Sequence, residues 1–208
     1  MLTFNDAIKK IDMHLSDNKT IHIIIEGIDG VGKTTICGEL MHILHQHIPY
    51  RTFGIRNPTH CLRDFLKHNP ETSPYSIGTF TIYDAYYQEI NIRQSDVLKG
   101  RFIVQDRSAL LSGRCYNLPY MSETEKKFYT IMADNVKSFL LDDKYIFILD
   151  SDRPFKNAED QFETTAMLSV AQEEYEKIPS KFERCWMVEN GNIVKTVESI
   201  LIIVAENL

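Results

Sequence analysis

A short glycine-rich segment constrains the fold of this chain more than any other feature. Residues 23–35 read IIIEGIDGVGKTT, and the part from Gly27 to Thr34 fits the pattern G-x-x-x-x-G-K-[S/T]. The glycines let consecutive backbone N–H groups turn inward around a phosphate, and the helix that follows adds the donors of its N-terminus. In such a loop the lysine reaches the β- and γ-phosphates, and the hydroxyl after it is a ligand for Mg²⁺. We therefore predict a nucleoside triphosphate site formed by Gly27, Asp29, Gly30, Val31, Gly32, Lys33, Thr34 and Thr35.

The glycine loop lies within an alternation of strand and helix patterns. Five short β-rich runs are predicted as strands, at 20–27, 50–56, 101–106, 144–150 and 184–190. The first, third and fourth are mostly apolar, which is typical of parallel strands buried on both faces. Helical spacing follows the glycine loop, runs behind a capping-box pattern from Ser122 towards Leu141, and returns from about Thr196. This alternation predicts a three-layer α/β fold with a parallel five-stranded sheet flanked by helices.

The remaining segments fit one domain over residues 1–208. An amphipathic pattern in the first residues predicts an N-terminal helix within 1–18, packed on the outside before the first strand. Residues 68–76, HNPETSPYS, are predicted as a long surface loop because two prolines interrupt any helical spacing.

Composition excludes several classes of partner. The formal net charge of −6 argues against general affinity for nucleic acid or for an anionic membrane, so phosphate binding must come from local geometry. No apolar run is long enough to cross a bilayer, and the N-terminus does not have the pattern of a secretory signal. Four scattered cysteines form no C-x-x-C pair, which favours reduced thiols. We therefore expect a cytoplasmic protein with small-molecule partners, and no nucleic acid or membrane partner.

Three segments carry a resemblance to the thymidylate kinase family. The loop EGIDGVGKTT resembles the family's P-loop, which places an acid inside the turn. Residues 100–112, GRFIVQDRSALLS, are similar to its strand that ends in Asp-Arg and is followed by a serine and an aromatic residue, here Ser112 and Tyr116. Residues 160–178 resemble the helix after its mobile lid. The chain is identified as a divergent member, and the resemblance implies a three-layer P-loop NTPase fold.

The resemblance and simple chemistry assign roles to the acidic and basic residues. By resemblance, Asp29 contacts the 3′-hydroxyl of the acceptor sugar, and Ser112 and Tyr116 belong to the acceptor site. Asp106 ends a buried strand beside the P-loop strand, where a carboxylate can hold a water of the Mg²⁺ shell, so Thr34 and Asp106 are the predicted metal residues. Arg107 is predicted to clamp a phosphate. Two further candidates for the acceptor phosphate are Arg56 and, more weakly, Arg63.

The chain also departs from the family pattern. The helix that lines the family's monophosphate site carries Asp-Arg after a phenylalanine, whereas this chain has Asp84, Ala85 and, at the aromatic position, Thr81. Aromatic residues of the same helix are candidates to supply the missing stacking, namely Phe80, Tyr83, Tyr86 and Tyr87. Tyr83 and Tyr87 are predicted as substrate-binding residues, and packing in the core is the alternative for both. The predicted lid, at about 151–159, is short and keeps one candidate catalytic arginine, Arg153, with Lys156 nearby.

These features predict Mg²⁺-dependent transfer of the γ-phosphoryl group of ATP to a deoxynucleoside monophosphate, dTMP first. Lys33, Asp106, Arg107 and Arg153 are the predicted catalytic residues. Asp-Arg-Ser at 106–108 also resembles a motif of deoxynucleoside kinases, which leaves a nucleoside acceptor open. The arginine missing at Ala85 leaves a nucleotide-binding protein without turnover open as well. The family is commonly dimeric through helices beside the sheet, so a homodimer also stays open.

Overall fold

A parallel sheet of five strands forms the middle layer of the fold. In the computed structural model, which describes residues 2–150 and 165–208, the strands are β1 (Ile21–Glu26), β2 (Thr52–Arg56), β3 (Phe102–Asp106), β4 (Tyr145–Asp150) and β5 (Cys185–Glu189). They lie in the order β2-β3-β1-β4-β5, and all neighbouring strands are parallel. The predicted sheet is confirmed. The predicted lid, with Arg153 and Lys156, lies outside the described residues.

Burial along the strands follows their place in the sheet. Every residue of β1 and β3 is buried, and so is every residue of β4 except the last. The two edge strands, β2 and β5, are partly exposed. Helices cover both faces of a parallel sheet, so its inner strands need apolar side chains in both directions. The expectation of three strands buried on both faces is therefore confirmed.

Helices form the two outer layers. Their bounds are α1 (Phe4–Ser16), α2 (Lys33–His47), α3 (His60–His68), α4 (Pro74–Gln94), α5 (Ala109–Tyr116), α6 (Glu123–Leu141), α7 (Thr165–Glu176) and α8 (Ile193–Glu206). Helices α1 and α2 pack on α8, while α4 packs on α5 and α6, and α5 packs on α7. The predicted capping box starts α6, because Ser122 and Glu125 each accept a hydrogen bond from the other's backbone. The predicted N-terminal helix is α1. None of the described helices combines the length and apolar character that a membrane span requires.

The prediction of a long loop at 68–76 is wrong at its second half. Helix α3 ends at His68, and α4 already begins at Pro74. Proline fits the first turn of a helix because its missing N–H would have no partner there. The Ser73 side chain caps the helix by accepting from the backbone N–H of Ser76. The second proline of the segment therefore starts a helix, and the connection between α3 and α4 is short.

The carboxyl ends of three strands meet at one edge of the sheet. In the register of the sheet, Asp106 at the end of β3 lies beside Ile25 of β1 and beside Arg56, the last residue of β2. The P-loop leaves β1 at the same edge. Ligands of open α/β sheets bind outside such carboxyl ends, at the point where the connections from two neighbouring strands leave towards opposite faces of the sheet. The fold thus gathers the predicted site residues of three separate segments.

Candidate active site

The loop from Gly27 to Gly32 joins the central strand to α2 in a conformation that depends on glycine. Gly27 and Gly32 have φ angles of 132° and 96°, in a region that side chains disfavour. A Cβ atom at Gly27 would also lie 2.7 Å from the carbonyl oxygen of Leu149. Helix α2 begins directly after the loop, at Lys33, so the N–H groups of its first turn point at the loop. This is the anion-binding geometry that the sequence predicts.

Lys33 is buried and lies across the loop. Its Nζ donates to the carbonyl oxygen of Ile28 at 2.5 Å and lies 3.3 Å from Oδ1 of Asp29. The ammonium group is therefore held over the loop by groups of the loop itself. A lysine in this position is preorganised to meet the negative charge of a bound phosphate chain.

Asp29 lies between two cations. Its carboxylate forms ion pairs with Lys33 and with Arg107, the residue that follows β3. Its backbone N–H donates to the Tyr116 hydroxyl at 2.8 Å, which ties the P-loop to α5. The structure thus brings together three predicted site residues from distant parts of the chain.

Asp106 and Thr34, the two predicted metal residues, lie in contact. Oδ2 of Asp106 accepts from the Thr34 hydroxyl at 2.9 Å and lies 3.6 Å from Nε of Arg56. Oδ1 of Asp106 is buried and has no hydrogen-bond partner among the described residues. A buried carboxylate oxygen without a donor is costly unless a ligand satisfies it. Since a hard cation prefers carboxylate and hydroxyl oxygens, this pair fits Mg²⁺.

Arg107 occupies a strained backbone position. Its φ angle is 73°, in the left-handed region that few residues other than glycine adopt. The conformation is held from several sides: the Arg107 N–H donates to Ile25 of β1 at 3.0 Å, and its carbonyl oxygen accepts from the side chains of Asn57 and Gln105. The guanidinium lies 5.8 Å from the ring centroid of Tyr116. Strain of this kind persists only where the surroundings enforce it, and it is common at functional sites.

The acidic residue Asp84 of helix α4 makes structural contacts. Asp84 of α4 accepts from the backbone N–H of Thr59 at 2.7 Å and from its hydroxyl at 2.6 Å, which fixes the segment after β2. Ala85, at the position where the resemblance implies an arginine, is buried. Tyr83 and Tyr87 are 74% and 61% exposed, so their rings lie mostly in solvent. Their predicted stacking role is not supported by a contact in the described structure and stays a prediction.

Two arginines lie close together beside this helix. Arg56 ends β2, and Arg63 lies on α3, in the first turns after Thr59. Nε of Arg63 is buried and has no hydrogen-bond partner among the described residues. Burial lowers the pKa of Arg63, and the positive charge of Arg56 lowers it further. The carboxylates of Asp106, Asp64 and Asp84 act in the opposite direction on this pKa, so the feature of Arg63 that favours an anionic ligand is its buried, unpartnered Nε.

Sequence reasoning missed two residues that support these groups. Asn190 follows β5, and its Nδ2 donates to the carbonyl oxygen of Val31 at 2.6 Å, which braces the P-loop. Glu26, the last residue of β1, accepts from the backbone of Ser108 and from the hydroxyl of Ser112. The predicted acceptor residue Ser112 thus directs its hydroxyl at a buried carboxylate. The available signals were the acid before the P-loop and the asparagine in the turn after the last strand.

The fold and the loop together define a P-loop nucleotide-binding protein of the α/β class. The family model described as "Thymidylate kinase" matches residues 25–207. The chain therefore belongs to the thymidylate kinase family, which consists of nucleoside monophosphate kinases.

Individual relatives agree with this membership. A 98-residue stretch is 36% identical to the thymidylate kinase of Buchnera aphidicola subsp. Baizongia pistaciae (strain Bp), and this match spans 43% of the chain and 46% of the relative. The thymidylate kinase structure from Ehrlichia chaffeensis has a TM-score of 0.67 at 18% identity, over 91% of this chain and 98% of that one. The Candida albicans thymidylate kinase has a TM-score of 0.70 at 20% identity, over 91% and 92%. At such identities the two structures support the fold alone.

Proposed function

We propose that this protein transfers the γ-phosphoryl group of ATP to a nucleoside monophosphate, with dTMP as the first choice and dTDP as the product. The observation that carries the proposal is the convergence of Lys33, Asp29, Asp106 and Arg107 at one edge of the sheet, around the mouth of the P-loop. Family membership supports a monophosphate as the acceptor. The choice of dTMP over other monophosphates rests on the family alone.

The donor side of the reaction requires neutralisation of charge. The P-loop N–H groups and Lys33 would bind the phosphates of ATP, and the lysine would follow the charge that develops on the transferring group. Thr34 and Asp106 would hold Mg²⁺, which supplies further positive charge at the β- and γ-phosphates when it is bound. No covalent intermediate is needed, because positioning and electrostatics account for most phosphoryl-transfer catalysis.

The acceptor side requires orientation. Asp29 would accept a hydrogen bond from the 3′-hydroxyl of the sugar, and its ion pairs with Lys33 and Arg107 support a position of that contact beside the phosphates of the donor. Arg107 would share its guanidinium between Asp29 and the transferring phosphoryl group. These contacts hold the two substrates in line, which converts a bimolecular encounter into a reaction within one complex.

The pair Arg56 and Arg63 supports a monophosphate over a nucleoside. A monophosphate brings about two negative charges, and removing them from water must be offset by fixed donors. A nucleoside brings no charge and would leave the buried Nε of Arg63, which has no partner among the described residues, without an acceptor. Arg63 on α3 would then replace the arginine that the family carries at the position of Ala85. A homodimer and a cytoplasmic location stay predictions.

A steady-state assay tests the proposal. ADP release would be measured with ATP, Mg²⁺ and a panel of nucleoside monophosphates and nucleosides, with dTMP and thymidine as the central pair. We expect dTMP to be turned over far faster than thymidine, and chelation of Mg²⁺ to stop the reaction. Turnover of thymidine without turnover of dTMP would assign the protein to the nucleoside kinases. ATP binding without turnover of any acceptor would leave a nucleotide-binding protein.

A further inference from the structure

A fully buried carboxylate lies directly behind the candidate site. Glu26 is the last residue of β1 and the residue before the P-loop, and its side chain has 0% exposure. A buried carboxylate costs free energy unless it is well hydrogen-bonded. Burial raises the pKa of Glu26, while the charge of Arg107 and the hydrogen bonds from its neighbours act in the opposite direction. The proposed chemistry above gives this group no role.

Four donors converge on this carboxylate. The backbone N–H of Ser108 donates to Oε1, the Tyr175 hydroxyl donates to Oε2 at 2.8 Å, and the Ser112 hydroxyl lies 3.2 and 3.3 Å from the two oxygens. The N–H of Gly27 is the most distant donor, at 3.4 Å. A carboxylate has two oxygens with about four acceptor sites, whereas an amide of the same length has one oxygen and adds two donors. Glutamate therefore suits this position and glutamine does not.

The partners of Glu26 lie beside predicted site residues, namely Arg107, Ser112 and Tyr116. Ser108 follows Arg107 directly, and Ser112 lies in the first turns of α5. Tyr175 belongs to α7, and its ring packs edge-on against Tyr116 at 6.2 Å. The Tyr116 hydroxyl in turn accepts the hydrogen bond from the Asp29 N–H. Through these contacts, Glu26 and Tyr175 connect the P-loop strand to both members of the Asp29–Arg107 ion pair.

We propose that Glu26 is a positioning residue for phosphoryl transfer. Its carboxylate fixes the turn after β3 and the start of α5 on β1, the strand that leads into the P-loop. Tyr175 of α7 completes this arrangement. The proposal rests on the proposed function. Glu26 touches no substrate; it acts through Arg107, Asp29 and Ser112. An error of about 1 Å in the placement of reacting groups costs roughly a hundredfold in rate, so a positioning contact behind the site has a measurable kinetic effect.

The first test compares two conservative variants with a matched control. Glu26→Gln keeps the size of the side chain and removes its charge, and Tyr175→Phe removes only a hydroxyl. We expect kcat with dTMP to fall at least about tenfold in Glu26→Gln and several-fold in Tyr175→Phe, with a raised KM for dTMP and a nearly unchanged KM for ATP. The control is Tyr145→Phe, because Tyr145 is also a buried tyrosine whose hydroxyl is bonded, at 3.0 Å, to the carbonyl oxygen of Asn207 near the C-terminus. Tyr145→Phe should leave both kinetic constants unchanged.

The second test is a double-mutant cycle between Glu26→Gln and Tyr175→Phe, read on kcat/KM for dTMP. If both variants break one arrangement, the double variant loses less than the product of the two single losses. Thermal midpoints are measured for every variant, so that a loss of folding is separated from a loss of positioning. If Glu26→Gln does not fold, the kinetic constants of Tyr175→Phe alone test the proposal. Folded variants with wild-type kcat and wild-type KM for dTMP would overturn the positioning role while the wild type stays active. A wild-type protein that turns over no acceptor would instead overturn the proposed function, and the positioning role with it.

Discussion

We call the P-loop with the end of β3 the donor half of the candidate site, because it would hold the phosphates of ATP, and α3 with α4 the acceptor half, because it would hold the phosphate of the acceptor. The two halves are built from different kinds of contact. In the donor half, backbone geometry determines the arrangement: glycines with positive φ, a helix N-terminus, and a lysine whose Nζ bonds to the carbonyl oxygen of Ile28 within the loop. In the acceptor half, side chains determine it: Asp84 holds Thr59, and Arg63 lies near Arg56. The first half contains the P-loop and Asp-Arg motifs on which the family resemblance rests, whereas the second half has Ala85 at the position where that resemblance implies an arginine.

We infer from this difference that the two halves of such a site tolerate substitution to different degrees. A phosphate cradle made of backbone N–H groups needs glycines and a helix start at fixed positions, so little in it can move. A cation for the acceptor phosphate can come from any neighbouring element that reaches the same point. Here Ala85 is buried where the family has an arginine, and the buried Nε of Arg63 lacks a partner among the described residues. If the donor half supports catalysis and the acceptor half supports binding of the acceptor phosphate, substitutions in the two halves should change different kinetic constants.

The largest effect is expected in the donor half. Lys33→Ala removes the cation that lies over the P-loop, and we expect kcat to fall by at least about a hundredfold, comparable with the loss of one preorganised donor at a developing charge. The thermal midpoint should change little, because the loop conformation is set by its glycines. Steady-state ADP release and a thermal melt measure both quantities. A folded variant that keeps most of its activity would show that the P-loop is not the catalytic half.

A smaller and more selective effect is expected in the acceptor half. Arg63→Ala should raise the KM for dTMP by roughly ten- to a hundredfold, which corresponds to about 1.5–3 kcal/mol for one lost charged hydrogen bond. The KM for ATP should change little, because the P-loop contacts are intact. The matched control is Lys67→Ala, which removes an exposed cation one helical turn further along α3. Equal effects of the two substitutions would mean that Arg63 contributes only to the general positive charge of α3.

The smallest effect is expected at a residue that contributes to the stability of the sheet and not to the candidate site. His22 of β1 is buried, hydrogen-bonded to Gln105 at 2.7 Å, and near Lys144 and Arg93. Burial holds the pKa of His22 well below its usual 6.5, and the charge of Lys144 adds to this effect. The unfolded chain therefore binds a proton as the pH falls through 6.5 while the folded chain does not, and stability is lost.

A His22→Gln variant should lose less thermal stability than the wild type between pH 7 and pH 5. Thermal melts of both proteins across this range measure the difference between their slopes. Activity at pH 7 should be similar in both, since His22 is neutral there and lies away from the P-loop. Identical slopes would show that His22 titrates in the folded protein.

Features that depend on neighbouring residues in the sequence were predicted better than contacts between distant residues. The P-loop, the three central strands and the capping box of α6 each depend on neighbouring residues, and each was predicted at the right place. The helix start at Pro74 was missed because proline was read as a loop signal and not as a first-turn residue. The Glu26 contacts were also missed, because Ser108 and Tyr175 lie 82 and 149 residues away along the chain. The pairing of β1 with β3 and the packing of α7 bring these groups together, and neither can be predicted from neighbouring residues.

The predicted substrate-binding residues differ in the same way: the structure brings some of them together and leaves others without a contact to the site. Asp29, Arg107 and Tyr116 meet because the Asp-Arg turn follows the strand next to β1, which the order of a parallel sheet explains. Tyr83 and Tyr87 are spaced one turn apart on α4, but spacing alone does not say which face of a helix turns towards the site. That face depends on the packing of α4 against α5 and α6, which the sequence does not specify.

The most direct test of the division between the two halves is isothermal titration of the wild-type protein with dTMP and with thymidine. The two ligands share base and sugar, so their difference in affinity measures what the protein offers to the acceptor phosphate. We expect dTMP to bind at least about tenfold more tightly, as one charged hydrogen bond would provide, and Arg63→Ala to remove most of that difference. Thymidine that binds as tightly as dTMP or more tightly would contradict the account, because the acceptor half would then have no site for a phosphate.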